Sequence, residues 1–162
     1  MIRVLSALFL VAAAALVYHS WAGRGGGAEA LVVLVHDGDT LEVETGGRRE
    51  RVRLFGIDCP EKEQPFSREA REYARGRVEG RVVTLRIEDV DAYGRVVAWV
   101  VLPDGGTLNH ELVGAGLAWH YTRYSHDPEL ARLEDEARRA GRGLWANPEA
   151  VPPWEFKHGW RR

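Results

Sequence analysis

Short runs of alternating polar and apolar residues, each stopped by a glycine turn, constrain this chain more than any other feature. Thr40-Leu41-Glu42-Val43-Glu44 has the period of two that a half-buried strand requires, because successive strand side chains point to opposite faces. Asp37-Gly38 before it and Gly46-Gly47 after it are tight-turn sequences, which predicts Leu31–His36 and Arg49–Phe55 as its antiparallel neighbours. Arg81–Glu88 and Arg95–Val101 repeat the pattern around the Asp91–Gly94 turn, and Pro103-Asp104-Gly105-Gly106 ends the strand region. Between the third and fourth strands, Gln64–Val78 places Phe66, Ala70, Tyr73 or Ala74, and Val78 on one side, the spacing of a helix. Asn109–Ala115 and Pro128–Ala140 read as two more helices, the second closing at Gly141. Five strands and about three helices make an α+β chain, mainly β.

The second hairpin predicts its own register. With Gly46 and Gly47 as turn residues, Glu44 faces Arg49, Glu42 faces Arg51, Leu41 faces Val52 and Thr40 faces Arg53. Directly opposed Glu–Arg pairs neutralise Arg49 and Arg51, leaving Arg53 with only Thr40 across from it. As one more charge on the polar side of a strand, Arg53 would be unremarkable. It stands, however, at the end where Asp39 precedes one strand and Asp58 follows the other, so the two carboxylates and a guanidinium without a dedicated partner should converge.

Hydrophobic residues make up 45% of the 162 positions, enough for one core and one domain. Basic residues number 22 against 24 acidic, so the broad basic face on which non-specific nucleic-acid binders rely is missing. Any polyanion must be met by a few placed arginines and a bound cation. Cys59 is the single cysteine, which excludes an intrachain disulfide; no histidine is spaced to activate it, and it reads as a small buried apolar residue. Arg3, the apolar run Val4–Val17 and Ser20-Trp21-Ala22 fit a cleaved secretory leader over residues 1–22. The same stretch is close to the roughly 20 residues needed to span a bilayer, so a retained anchor, with membrane attachment through residues 2–22, stays open. Both place the domain outside the cytoplasm: secreted, periplasmic or tethered to the membrane. A Gly-rich tether over 23–30, a domain over 31–147 and a Pro/Trp-rich tail over 148–162 follow. Aromatics beside Pro152-Pro153 read as a strap onto the tail's own domain, a polyproline ligand being the alternative.

Three motifs carry the chemistry: Asp37-Gly38-Asp39-Thr40, Arg53-Leu54-Phe55-Gly56-Ile57-Asp58-Cys59-Pro60-Glu61 and Asp91-Ala92-Tyr93-Gly94-Arg95. Each alone is ordinary: Asp-Gly-Asp is a turn, Glu61 a first-turn acid of a helix, Arg95 a strand-end charge. Together they supply two acids for a hard cation, two guanidiniums for a phosphate, and one carboxylate, Glu61, to orient or deprotonate water. Zinc is a poor fit, since no histidine and cysteine cluster exists. In this order and spacing the motifs resemble the staphylococcal nuclease (thermonuclease) family, over about Leu31 to Asn147.

That resemblance implies a closed five-stranded Greek-key barrel of the oligonucleotide/oligosaccharide-binding (OB) fold, and a monomer with no obligate protein partner. It implies an exported, calcium-dependent nuclease that hydrolyses DNA, RNA or both and leaves 3'-phosphate and 5'-hydroxyl ends. Arg53, Glu61 and Arg95 fall on its catalytic positions. One Ca2+ ion would be held by Asp39, Asp58 and the main-chain carbonyl of Cys59, with Asp37 and Thr40 behind them. Tyr93, Tyr121 and Tyr124 fall where substrate is bound. The chain departs from the pattern at Ala92, where the best-known member has a lysine that helps hold a terminal phosphate, and in the length of residues 117–127. A non-catalytic OB-fold module that binds nucleic acid is the alternative; it would lack the site residues and show a basic face. An oligosaccharide- or protein-binding barrel would need no arginine pair at the strand ends.

Overall fold

The computed structural model describes residues 27–159. The leader or anchor expected over residues 1–22 lies outside them, as does the first half of the tether, residues 23–26. Among the described residues no helix is long and apolar enough to cross a membrane. The chain runs β1 (Ala28–Val35), β2 (Thr40–Thr45), β3 (Arg48–Leu54), β4 (Ile57–Asp58), α1 (Ser67–Val78), β5 (Val82–Val90), β6 (Val96–Val101), α2 (Leu108–Gly114), β7 (Trp119–His120), α3 (Pro128–Arg139), a 3-10 turn (Gly143–Ala146) and α4 (Pro153–Gly159).

Five strands close a barrel in the order β1-β2-β3-β6-β5, with β5 returning to β1. The β3–β6 pair is parallel and the other four are antiparallel. These are the five strands expected from the alternation, arranged as the mainly-β barrel. The β2–β3 register runs Thr40↔Arg53, Leu41↔Val52, Glu42↔Arg51 and Glu44↔Arg49. Gly46 and Gly47 both have positive φ, at 55° and 74°, the geometry of the hairpin turn whose twist matches that of its strands. Alternation sends Leu41, Val43, Val52 and Leu54 inward, where they join Val32, Val35, Leu85, Val96 and Ala98 in a single core. A bulge between Val32 and Leu34 resets the phase of β1, so that Leu34 faces out and Val35 in.

Several local expectations are corrected. β1 begins at Ala28, inside the expected tether, because Ala28–Leu31 pairs with Val82–Leu85 to close the barrel. α1 begins at Ser67 and not at Gln64: Phe66 sits at φ 67°, a left-handed residue that cannot continue a helix, and the Gln64 N–H closes a turn on the Glu61 carbonyl. Arg49 keeps Glu44, at 4.0 Å, but also takes Glu42, at 3.1 Å; Glu42 faces His36, at 3.4 Å, and Arg51 makes no ion pair among the described residues. Strand twist brings such diagonal neighbours within reach of long side chains. The short β4–β7 pair, the 3-10 turn and α4 add to the expected elements, α4 lying in the tail.

Two polar devices tie the helices to the barrel. Asn109, fully buried in α2, accepts from the Val100 N–H at 3.0 Å and donates to the carbonyls of Phe55, at 2.9 Å, and Ala98, at 3.3 Å. It pairs the Val100 N–H and the Phe55 carbonyl, and adds a second donor to the Ala98 carbonyl, which already accepts from the Phe55 N–H at 2.8 Å. Asp127 caps α3 by accepting from the Leu130 N–H at 2.8 Å, and lies 3.3 Å from His110 on α2. Burial works against its charge, but the Leu130 N–H and His110 outweigh it and hold the carboxyl below its ordinary value of 3.8.

A lowered folded-state pKa means stability that is present above the ordinary carboxylate range and lost as the pH falls through the folded value. Asp127→Ala should therefore cost about 1 kcal/mol in urea unfolding at neutral pH, and the difference from the parent should shrink in acid. Gly38 has no room for a side chain: a Cβ would lie 2.7 Å from Cys59 Sγ and 2.8 Å from Ala70 Cβ. Gly38→Ala should destabilise by about 1–3 kcal/mol through overpacking. Gly76, inside α1 with nothing within 4 Å of its would-be Cβ, should give the opposite sign, a gain of about 1 kcal/mol as Ala.

Candidate active site

The β1–β2 turn and the segment after β3 meet at one end of the barrel, and hydrogen bonds hold them there. The Leu54 N–H donates to the Asp39 carbonyl at 2.8 Å, and the Asp39 N–H donates to Asp37 Oδ1 at 3.0 Å. Asp58 is fixed from the other side, because β4 pairs with β7 through Ile57↔His120 and Asp58↔Trp119. The Cys59 N–H then donates to Asp39 Oδ2 at 2.6 Å, closing one motif onto the other. The close approach at Gly38 makes room for this contact. Cys59 itself is buried, and burial pushes its thiol well above the ordinary range, consistent with an inert packing residue.

Arg53 lies between the two carboxylates. Its guanidinium is 3.0 Å from Asp39 Oδ2 and 2.6 Å from Asp58 Oδ1, and it also donates to the Leu54 carbonyl at 3.3 Å. The expectation of a guanidinium without a dedicated partner is thus corrected. Register governs the directly opposed neighbour, Thr40, but the arginine side chain is long enough to pass the strand end and reach Asp39 in the β1–β2 turn and Asp58 in β4. Thr40 donates its hydroxyl to Asp39 Oδ1 at 3.3 Å. Burial, helped by Asp37 and Asp58 and opposed by Arg53, holds the Asp39 carboxyl up at about 7. Burial likewise raises Asp58, against the pull of Arg53 and Lys157. For Arg53 burial opposes the charge, but Asp39 and Asp58 prevail and hold the proton more firmly than usual. Two buried carboxylates share one guanidinium, so the cluster is short of positive charge.

Arg95 enters from the β5–β6 turn. Asp91 organises that turn, accepting from the N–H groups of Tyr93, at 2.9 Å, and Arg95, at 3.0 Å, through Oδ1. Its Oδ2 holds Arg95 Nε at 2.7 Å. Glu61 follows Pro60; its N–H donates to Gln64 Oε1 at 2.9 Å, and its carboxylate meets Lys157 Nζ at 2.7 Å. An open cleft of about 940 Å³ is lined by Asp39, Thr40, Arg53, Asp58, Glu61 and Arg95 together with Asp37, Tyr93, Tyr121 and Tyr124. Tyr93 is 85% exposed, and Tyr121 and Tyr124 meet edge to face at 4.9 Å, with the Tyr121 N–H tied to the Gly56 carbonyl at 2.8 Å. Cys59 stays behind this wall, beside Asp37 and Asp39 in a neighbouring recess.

Sequence reasoning did not single out Asp91, Gln64, Trp154 or Lys157. Asp91 was legible as the Asx residue of a tight turn before an arginine. The other three act through the tail, far along the chain from the motifs. Among the described residues no three histidine, cysteine, aspartate or glutamate side chains are grouped to hold a metal. A cation here would rely on two carboxylates, Asp39 and Asp58, with main-chain oxygen and water, a donor set that suits a hard ion and not zinc.

Comparison with known proteins agrees with this geometry. Residues 51–147 match the family described as staphylococcal nuclease homologue. An Escherichia coli protein named "Uncharacterized endonuclease" is 43% identical over 127 residues, 78% of this chain and 83% of that protein. Protein ParB of Escherichia coli is 41% identical over 141 residues, 81% of this chain and 77% of its own. Staphylococcal-like nuclease CAN1 of Arabidopsis thaliana is 37% identical over 114 residues, 70% of this chain but 35% of the plant protein. A match across more than half the chain and relatives alike at this level lead to one conclusion: the chain belongs to the staphylococcal nuclease family.

Proposed function

We infer that the cleft hydrolyses phosphodiester bonds of DNA or RNA, as a calcium-dependent nuclease. The observation that carries this reading is the convergence of Arg53, Arg95 and Glu61 with the Asp39–Asp58 pair on one open cleft. Phosphodiester hydrolysis needs an aimed water, neutralisation of charge building on phosphorus, and departure of the esterified oxygen. Glu61 is the carboxylate placed to orient water and accept its proton as the water oxygen bonds to phosphorus. Arg53 and Arg95 are each fixed by carboxylates and can donate to the phosphate oxygens, contacts that strengthen as negative charge builds there. Rupture of the bond from phosphorus to the 5'-oxygen, which takes up a proton from solvent as it leaves, gives a 3'-phosphate and a 5'-hydroxyl.

The Asp39–Asp58 pair, short of positive charge, fits a divalent cation, with the Cys59 carbonyl as the main-chain donor and Asp37 and Thr40 steadying Asp39. Bound calcium would polarise the phosphate and balance its charge. The apolar run Val4–Val17 behind Arg3 supports export, by a cleaved leader or a retained anchor. A purely binding module is the weaker reading, since it has no use for carboxylates facing a polyanion.

Cleavage of a labelled oligonucleotide tests the reading. The parent should be active with calcium and silent with chelator, while Glu61→Ser and Arg95→Ala should each lose about 100- to 1,000-fold in kcat. The double variant should lose less than the product of the two, since the groups act on one transition state. Parent-like rates in both single variants would overturn the site assignment. Calcium at a hundredfold excess over Kd should stabilise the parent by about 2.7 kcal/mol in thermal unfolding, and Asp39→Asn should abolish most of that gain.

A further inference from the structure

The tail meets the walls of the cleft through Gln64, Trp154 and Lys157, the last two of which line the cleft itself. Gln64 bridges the two segments: its Oε1 accepts from the Glu61 N–H at 2.9 Å, and its Nε2 donates to the Val151 carbonyl at 2.8 Å. Trp154 lies flat on Tyr121, with ring centres 4.9 Å apart and planes 1° from parallel. Lys157 reaches Glu61 at 2.7 Å. Trp154 and Lys157 are three residues apart in α4, hence on one helical face, and both line the cleft.

The charge of the cleft gives this arrangement a purpose. Seven carboxylates and three cationic side chains line it, an unfavourable wall for a polyanion. Arg53 has both terminal nitrogens on Asp39 and Asp58, and Arg95 has its Nε on Asp91. Their side chains are 15% and 29% exposed, whereas that of Lys157 is 55% exposed. An ion pair this exposed contributes little and is easily exchanged. Lys157 can therefore turn from Glu61 to a phosphate at small cost, and the exchange frees Glu61 to work on water. The adjoining Trp154–Tyr121 stack is a platform to which an unpaired base can add.

We propose that α4 is a substrate-binding arm: Lys157 takes a phosphate of a single-stranded nucleic acid, and the Trp154–Tyr121 pair takes an unpaired base beside it. This assignment rests on the nuclease reading and deepens it. One nucleotide would thus be held by a cation and a ring that lie outside the barrel. Arrival of substrate would couple binding to release of the water-orienting carboxylate.

The test uses the full chain and a fluorescein-labelled oligothymidylate strand, with binding read by anisotropy in chelator so that no cleavage intervenes. Lys157→Met, a neutral side chain of similar length at an exposed position, should weaken binding about 5- to 10-fold and lower the slope of log Kd against log salt by about 0.7, one phosphate contact fewer. Trp154→Ala should weaken binding about 10-fold with the salt slope unchanged, as expected for a lost stacking ring. Arg139→Met, the same charge change on α3 away from the cleft, should match the parent. In cleavage assays with calcium, Lys157→Met should raise KM by more than it lowers kcat. An unchanged Kd and salt slope in Lys157→Met would overturn the proposal. So would a rise in kcat/KM, which would make Lys157 a plug on Glu61. A parent that binds without cleaving would instead sink the hydrolytic reading, and the binding arm would still judge Lys157.

Discussion

Two buried carboxylates brought against one guanidinium are the interaction on which the rest of this structure depends. Asp39 comes from the β1–β2 turn and Asp58 from β4, and neither could be buried as an anion without a cation beside it. Arg53 meets both from the end of β3. The arrangement is under-compensated: burial drives Asp39 up to about 7 even with Arg53 in place. A site that holds excess negative charge away from water is suited to a divalent ion. Lys157, paired with Glu61, adds positive charge near Asp58 and pulls against the rise that burial causes there.

The scaffold is arranged to keep that cluster from relaxing. β7 pins Asp58 through the Ile57–His120 ladder, and the Cys59 N–H holds Asp39 to the neighbouring loop. Behind them Asn109 hydrogen-bonds to main-chain groups of Val100, Phe55 and Ala98, joining α2 to β6 and to the segment just after β3. Side chains that would repel one another in water are held in fixed geometry by packing and main-chain hydrogen bonds. A site that stabilises developing charge without reorganising needs this rigidity. The tail adds a looser element at the mouth, joined by one stack, one exposed ion pair and the Gln64 bridge.

How much was visible before folding differs from residue to residue. The β2–β3 register could be counted from Gly46-Gly47 because a two-residue turn and a period-two pattern leave no freedom. The meeting of Asp39, Asp58 and Arg53 followed from that register. The partners of Arg53 did not, since a strand pattern describes directly opposed residues and not the reach of a long side chain past the strand end. The start of α1 was misread for a comparable reason: Gln64 and Pro65 suit a helix, but the left-handed Phe66 and the Glu61–Gln64 turn are set by the loop that carries Glu61.

Local pattern therefore carried what is local: strand alternation, turn chemistry, the three motifs and the pairing they impose across one hairpin. Barrel closure through β1 and β5, the anchoring of Asp58 by β7 and the seating of Trp154 and Lys157 over the cleft came only with folding. Each joins residues distant along the chain, and such contacts depend on how whole elements pack, which no short window of residues contains.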